Sequence, residues 1–292
     1  MITPPLRTGF IFASGLAFAA GLLAQAPQAP KIEFPAASPA ATLKQRVGLT
    51  DIEINYSRPG LKGRVVVGNI DPYGKVWRTG ANSATRISFS TPVKLQGSNL
   101  AAGTYELFTI PGQDEWTVIL QKAGKQWGAY QYKEENDILR VKAKPVALAN
   151  PVETFTIDIN DIRDESATLN LIWAGWRVPV KLEVDVVSTV VPQIEAVMAS
   201  DAAKKPYAQA AMFYRDHDLD LKKAAAWIDA AIAEQPNAYY LVYHKAKLLA
   251  KMGDKAGAIA LAQQSIAMAA KDTGPAKDEY TRLNEALIAS LR

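Results

Sequence analysis

The sequence predicts an all-β sandwich domain followed by a small all-α domain of helical repeats. Three observations predict it. Short runs alternating between apolar and polar residues fill the middle of the chain, composition shifts abruptly near Pro192, and small apolar residues beyond that point recur at a 34-residue shift. At 292 residues there is room for two separate cores. The 49% hydrophobic and 21% charged residues are the balance of packed domains rather than of a disordered chain.

Taking the elements in order, Arg7 is the only charged residue before an apolar run from Gly9 to Leu23. Ala24-Gln25-Ala26 follows with the small-residue spacing of a cleavage site. Residues 1–26 are therefore expected to be a signal peptide, delivering the chain to the periplasm or the cell exterior. Pro27 suits a cut after Ala26 poorly, which favours a cut after Ala24. The apolar run is about fifteen residues, short of the ~20 that cross a bilayer, so no stable membrane span is expected. Residues 27–41, rich in Pro and Ala, read as a linker.

Residues 42–188 carry the β signal. Ile52, Ile54 and Tyr56 alternate with Glu53 and Asn55, and Tyr105, Leu107 and Thr109 follow Gly103. Trp116, Val118 and Leu120 come next, then Phe155, Ile157 and Ile159. Leu169, Leu171 and Trp173 precede Val178, Val180, Leu182 and Val184. Period-two spacing with β-branched and aromatic residues predicts strands with one buried face. About nine or ten such strands, with no helical pattern between them, predict the sandwich.

Residues 192–292 are Ala-rich with helical spacing. Ala224, Ile228 and Ala231 mark one face, closed by Pro236, and Ala258, Ala262 and Ser265 mark its equivalent. Gly253-Asp254 supplies a turn between helices, and residues 277–291 a terminal helix over the open end. The 34-residue period and small packing residues resemble tetratricopeptide repeats, of which about two degenerate units fit. Such a segment either docks a protein partner in its groove or braces the β domain.

A set of motifs in the β region carries a second resemblance. They include Ser38-Pro39, Gln45-Arg46-Val47-Gly48, Tyr56-Ser57-Arg58-Pro59, Lys62-Gly63-Arg64, Ala102-Gly103-Thr104-Tyr105 and Trp127-Gly128-Ala129-Tyr130. The most specific is the run PYGKVWRTGAN from Pro72 to Asn82. Over residues 38–186 the chain resembles a family of exported bacterial proteins known only as a domain of unknown function. The resemblance implies export and no particular reaction.

The densest polar cluster gathers Arg58, Lys62, Arg64, Lys75, Arg78 and Asn82 among Tyr56, Tyr73 and Trp77. Such a mixture suits an anionic or polyhydroxylated ligand, a small molecule or a glycan. Arg58, Arg64 and Arg78 would give charge-assisted hydrogen bonds, Asn82 an orienting amide, and Trp77 an apolar wall. In the opposing reading the arginines pair with Asp51, Asp71 and Glu115 while Trp77 packs in the core. Among the tryptophans, Trp116 and Trp173 lie in phase with buried strand positions. Trp127 and Trp176, the latter in an expected turn, are better placed for exposure and for stacking on a sugar.

Other chemistries are constrained. With no cysteine there is no disulfide, thiolate site or cysteine nucleophile. The only histidines, His217 and His244, fall in the helical segment, which leaves the β domain without a Ser-His-Asp triad or a histidine metal site. Asp158, Asn160, Asp161, Asp164 and Glu165 could hold calcium but serve equally as turn formers. A net charge of +4, with basic and acidic residues interspersed, excludes a nucleic-acid footprint. No cofactor is implied. The expected function is an exported, non-catalytic binding protein. The alternatives are a carbohydrate hydrolase using two carboxylates, with Glu106 and Glu115 as the available pair, and a structural envelope protein.

Overall fold

The structure, a computed structural model, describes residues 1–2 and 32–292. Apart from Met1 and Ile2, the expected signal peptide lies outside the described residues. The chain divides into units 1–37 and 38–292. The described residues 32–37 of the first carry no helix or strand.

Among the described residues the β domain has ten strands. They are β1 (Ala40–Val47), β2 (Thr50–Ser57), β3 (Thr85–Phe89), β4 (Val93–Leu95), β5 (Ser98–Leu100), β6 (Gly103–Ile110), β7 (Trp116–Lys122), β8 (Asp137–Ala143), β9 (Val146–Asn160) and β10 (Ser166–Val184). One sheet has the order β1-β2-β3-β6-β7-β8 and the other β5-β4-β10-β9, with every pairing antiparallel. Pairing starts at Ala40, two residues inside the stretch read as linker.

Alternation decides what lies between the sheets, because residues two apart share a face. Ile52, Ile54, Ile87, Leu107, Val118 and Leu120 enter from the first sheet, and Phe155, Ile157, Leu169, Leu171, Val180 and Leu182 from the second. Burying one such side chain contributes about 1.5–3 kcal/mol, which is how a chain without disulfides holds two sheets together. The β1–β2 turn needs its glycine. Gly48 has φ +53°, and a Cβ there would lie 2.4 Å from the Asp164 carbonyl oxygen.

Two features differ from expectation. The runs 169–173 and 178–184 are one strand, β10, continued through register shifts around Ala174, whose φ is +51°. Trp176 therefore sits half-buried on a bulged strand and not in a turn. β6 and β7 are also buried on both faces. Beyond the main core, Phe108, Ile119 and Ala84 form a second cluster with Val76, Ile110, Ala129 and Tyr132, contributed partly by the segments around 76–84 and 123–136.

Six helices follow: α1 (Val187–Ala199), α2 (Tyr207–Asp216), α3 (Leu221–Glu234), α4 (Tyr239–Lys251), α5 (Lys255–Ala269) and α6 (Lys277–Leu291). The helical segment thus begins at Val187, and Pro192, read as the boundary, lies inside α1. Ala224, Ile228 and Ala231 are the buried face of α3; Ala258, Ala262, Ser265 and Ala269 are that of α5. Asp220 and Asp254 cap these two helices by accepting backbone N–H groups of the first turn. Consecutive helices from α2 to α6 pack on one another, as a repeat array requires.

The helical cores are distinct from the sandwich core, which Val190 and Phe213 touch. Near that contact the Glu165 carboxylate accepts from the Val186 and Val187 N–H groups, and it lies 3.2 Å from the His217 ring nitrogen Nδ1. Among the described residues no helix is long and apolar enough to cross a membrane.

Candidate functional site

The segment from Pro72 to Asn82 departs from sheet geometry because one residue, Trp77, is drawn inward. Its backbone N–H and C=O exchange hydrogen bonds with Thr109 at 2.7 and 2.9 Å. Its indole stacks on Trp173 at 5.5 Å and meets Phe155 and Trp116 edge-on at 5.0 and 6.3 Å. Nε1 donates to the Gly80 carbonyl at 3.1 Å. Trp77 is buried in the core and offers no wall to a ligand, which corrects that expectation.

The turn that follows is strained. Thr79 is fully buried with φ +55°, a left-handed conformation that β-branched residues avoid, and Asn82 has φ +60°. Strain of this kind costs on the order of 1–3 kcal/mol and persists only where surroundings over-determine it. Here the Thr79 carbonyl accepts from Thr85 Oγ1, and its hydroxyl lies 3.1 Å from that of Thr109. Asn82 donates its amide to the Ser38 carbonyl (3.3 Å) and the Ser57 hydroxyl (3.2 Å). The amide expected to orient a ligand orients this turn.

The arginines divide. Arg58 donates to the Phe155 carbonyl and the Thr156 hydroxyl at 3.0 and 2.8 Å, tying the segment after β2 to β9. Arg64, exposed, donates Nε to the Leu61 carbonyl and Nη2 to that of Gly60. Arg78 is half-buried, and its Nε is buried without an acceptor among the described residues. The acids expected as partners are mostly engaged elsewhere, Asp51 with Arg46 and Glu115 with Lys142. Asp71 is the exception. Burial pushes its carboxyl up to about 6, against the opposing pull of Arg78 and then Arg64.

Beside this turn lies a loop whose importance the sequence concealed. Glu106 on β6 is fully buried, although acids at alternate strand positions ordinarily face solvent. Its Oε1 accepts from the backbone N–H groups of Lys125 and Gln126 at 2.8 and 2.9 Å, and Oε2 accepts from the Gln126 amide at 2.7 Å. Gln121 extends the network by donating to the Lys133 carbonyl and to Asp137, whose other oxygen accepts from Tyr132. Burial, then that bond to Asp137, pushes the Tyr132 phenol well above its ordinary range. Above this base Trp127 is 64% and Tyr130 85% exposed, so both aromatic side chains stand largely in solvent. The Gly128 N–H donates to the Asn82 carbonyl, and the Ala84 N–H to that of Gln126, joining the loop to the strained turn. Exposure of Trp127, and burial of Trp116 and Trp173, follow the sequence expectation.

Residues 38–182 match the family model described as "Protein of unknown function (DUF2911)". The β domain belongs to that family. The helical segment lies beyond the matched residues. No curated protein and no solved structure matches the chain.

Within the DUF2911 domain the two carboxylates considered for hydrolysis do not form a pair. Glu106 stands opposite Gln121, six positions along the chain from Glu115, so at ~3.4 Å per strand residue they are about 20 Å apart. A glycosidase pair is separated by about 5–9.5 Å. Nor do the acids from Asp158 to Glu165 converge. Asp158 accepts from Asn170, Glu165 serves the start of α1, and among the described residues no group of three or more acids and histidines is placed to hold a metal ion.

In the helical segment a cavity of about 330 Å³ is lined by Tyr207, Met212, Tyr240, Leu241, His244 and Tyr280, among others. His244 is lowered to about 4 by burial, with Arg215 and Lys247 adding to the effect. A neutral ring can accept from Arg215 Nη1, 3.2 Å from its Nδ1.

The Asp71 shift makes a stability prediction for the DUF2911 domain. A carboxyl raised above its unfolded value of about 4 stabilises the fold fully below that pH, and the contribution is lost as pH rises through about 6. Asp71→Asn cannot ionise. It should be more stable than the wild type by about 2 kcal/mol at pH 7.5 and nearly equal to it at pH 4, measured by urea unfolding at both values. An equal difference at the two pH values would remove the shift.

Proposed function

We propose that this is an exported, non-catalytic binding protein whose DUF2911 domain recognises a polyhydroxylated ligand, a glycan or cell-wall fragment, on the Trp127–Tyr130 loop. The observation that carries the reading is the pairing of two solvent-facing aromatic side chains with a base of buried, hydrogen-bonded polar groups. Sugar rings present apolar C–H faces that settle on flat aromatic rings, and a pre-set loop loses little conformational entropy on binding. The separation of Glu106 from Glu115 supports binding over hydrolysis. Export rests on the N-terminal pattern of Arg7, the Gly9–Leu23 run and the small residues after it.

Calorimetric titration of oligosaccharides and peptidoglycan fragments tests the proposal. Trp127→Ala should weaken binding roughly thirtyfold, the loss of about 2 kcal/mol expected of an anchoring aromatic. Trp176→Ala, on the other sheet, should leave affinity unchanged. Equal affinities in wild type and Trp127→Ala, or no binding by the wild type across the panel, would sink it.

A further inference from the structure

The cavity of about 330 Å³ in the helical segment shares no residue with the glycan loop. Three helices line it, with Tyr207 and Met212 on α2, Tyr240 and His244 on α4, and Tyr280 on α6. The Tyr240 and Tyr280 rings lie 6.2 Å apart at 51°, and among the described residues Tyr207 makes ring contact with neither. The volume is at the low end of the ~300–1,000 Å³ that ligand pockets span. Charge around it nearly balances, because the Lys205 ammonium is held by the Met198 carbonyl at 2.8 Å and the Glu234 carboxylate is exposed on the same wall. Such a space suits a small, flat, neutral ligand.

His244 supplies a positioned donor. A guanidinium can only donate, so Arg215 Nη1, 3.2 Å from His244 Nδ1, makes that nitrogen an acceptor and leaves the ring proton on Nε2. Burial, with Arg215 and then Lys247 adding to it, lowers the ring to about 4 and keeps it neutral. Nε2 makes no hydrogen bond among the described residues. It is not one of the polar side-chain atoms sealed without a partner there, which are Arg78 Nε, Gln126 Oε1 and Asn284 Oδ1. The small void that His244 borders together with Arg215 has no room for a water. The Nε2–H group therefore opens on the larger cavity.

We propose that this cavity binds a flat nitrogen heterocycle of the nucleobase type, stacked among Tyr207, Tyr240 and Tyr280, with a ring nitrogen or carbonyl oxygen accepting from His244 Nε2. Tyrosine rings and the Met212 sulfur pack against any planar heterocycle. The His244 donor selects among them, and Glu234 offers an acceptor to the N–H or amino group that a base carries as well.

Calorimetry on the full chain at pH 7 tests this with three probes. Adenine has both acceptors and N–H donors, quinoline a ring acceptor alone, and indole an N–H alone. His244→Phe keeps a flat ring and removes the donor. It should lower the affinity for adenine and quinoline about tenfold and leave that for indole unchanged. Tyr280→Ala should weaken all three. Nitrogen NMR of the wild-type histidines reads the same group without a substitution: the His244 proton should sit on Nε2, and its resonance should move when adenine is added. No adenine binding by the wild type, adenine affinity unchanged in His244→Phe, or a His244 proton on Nδ1 overturns the proposal. Trp127→Ala should leave adenine binding intact, so this site and the glycan platform fail independently.

Discussion

Trp77→Ala is expected to destabilise the β domain by about 3–5 kcal/mol, the cost of emptying a large buried aromatic site. The indole touches Trp116 of the six-stranded sheet and Phe155 and Trp173 of the four-stranded one. Its removal therefore opens a cavity between the layers and not within one of them. It also takes away the donor to the Gly80 carbonyl, part of what holds the left-handed Thr79 in place. Part of the loss will be offset as the Thr79 strain relaxes, so Trp77→Phe, which keeps an aromatic ring, should cost less than half as much. Urea unfolding followed by far-ultraviolet circular dichroism reads both variants. A loss under about 1 kcal/mol for Trp77→Ala would mean that the neighbouring rings close over the site, and that Trp77 is not what joins the sheets at this end.

What could be read in advance follows from the range of the forces involved. The strands were legible because Ile52, Ile54 and the run Trp116, Val118, Leu120 record their burial locally, by alternation. The helices were legible for the same reason, since Ala224, Ile228 and Ala231 and their counterparts Ala258, Ala262 and Ser265 are the faces that pack. The polar segment from Arg58 to Asn82 carries no such record. Trp77 sits among glycines and charges, and only Thr109 and the rings of three distant strands draw it inward. Glu106 occupies a strand position that would face water, and it is covered by a loop that starts some seventeen residues later. Long-range satisfaction of backbone donors leaves no periodic trace, so that acid could be noticed in the sequence but not understood there. Trp127 is legible as a tryptophan outside any alternating run, whereas Tyr130, in the same Trp127–Tyr130 motif, carries no local sign of its exposure.

Glu106→Ala should show whether the aromatic loop is held from beneath. The substitution removes the acceptor of three hydrogen bonds, leaving the Lys125 and Gln126 N–H groups without that partner and the Gln126 amide with Gln121 Oε1 alone, at 3.4 Å. A fully buried donor left unpaired costs about 1–3 kcal/mol, and these two backbone donors lie on an exposed and a half-buried residue, so each costs toward the lower end. Water entering the space left by the side chain will recover part of this, so the net loss should be about 2 kcal/mol. Glu106→Gln keeps one oxygen for the two backbone donors but sets its own amide against that of Gln126. It should cost about 1–2 kcal/mol. Hydrogen exchange separates the local effect from the global one. Protection of the Lys125 and Gln126 amides should collapse in Glu106→Ala at denaturant concentrations where β2 and β3 remain protected. If the loop does pre-set Trp127 and Tyr130, the same variant will weaken glycan binding without altering either ring, because ordering the loop then falls to the ligand. Retention of both the exchange protection and the glycan affinity would show that the second cluster around Phe108 and Ile119 holds the loop without the carboxylate.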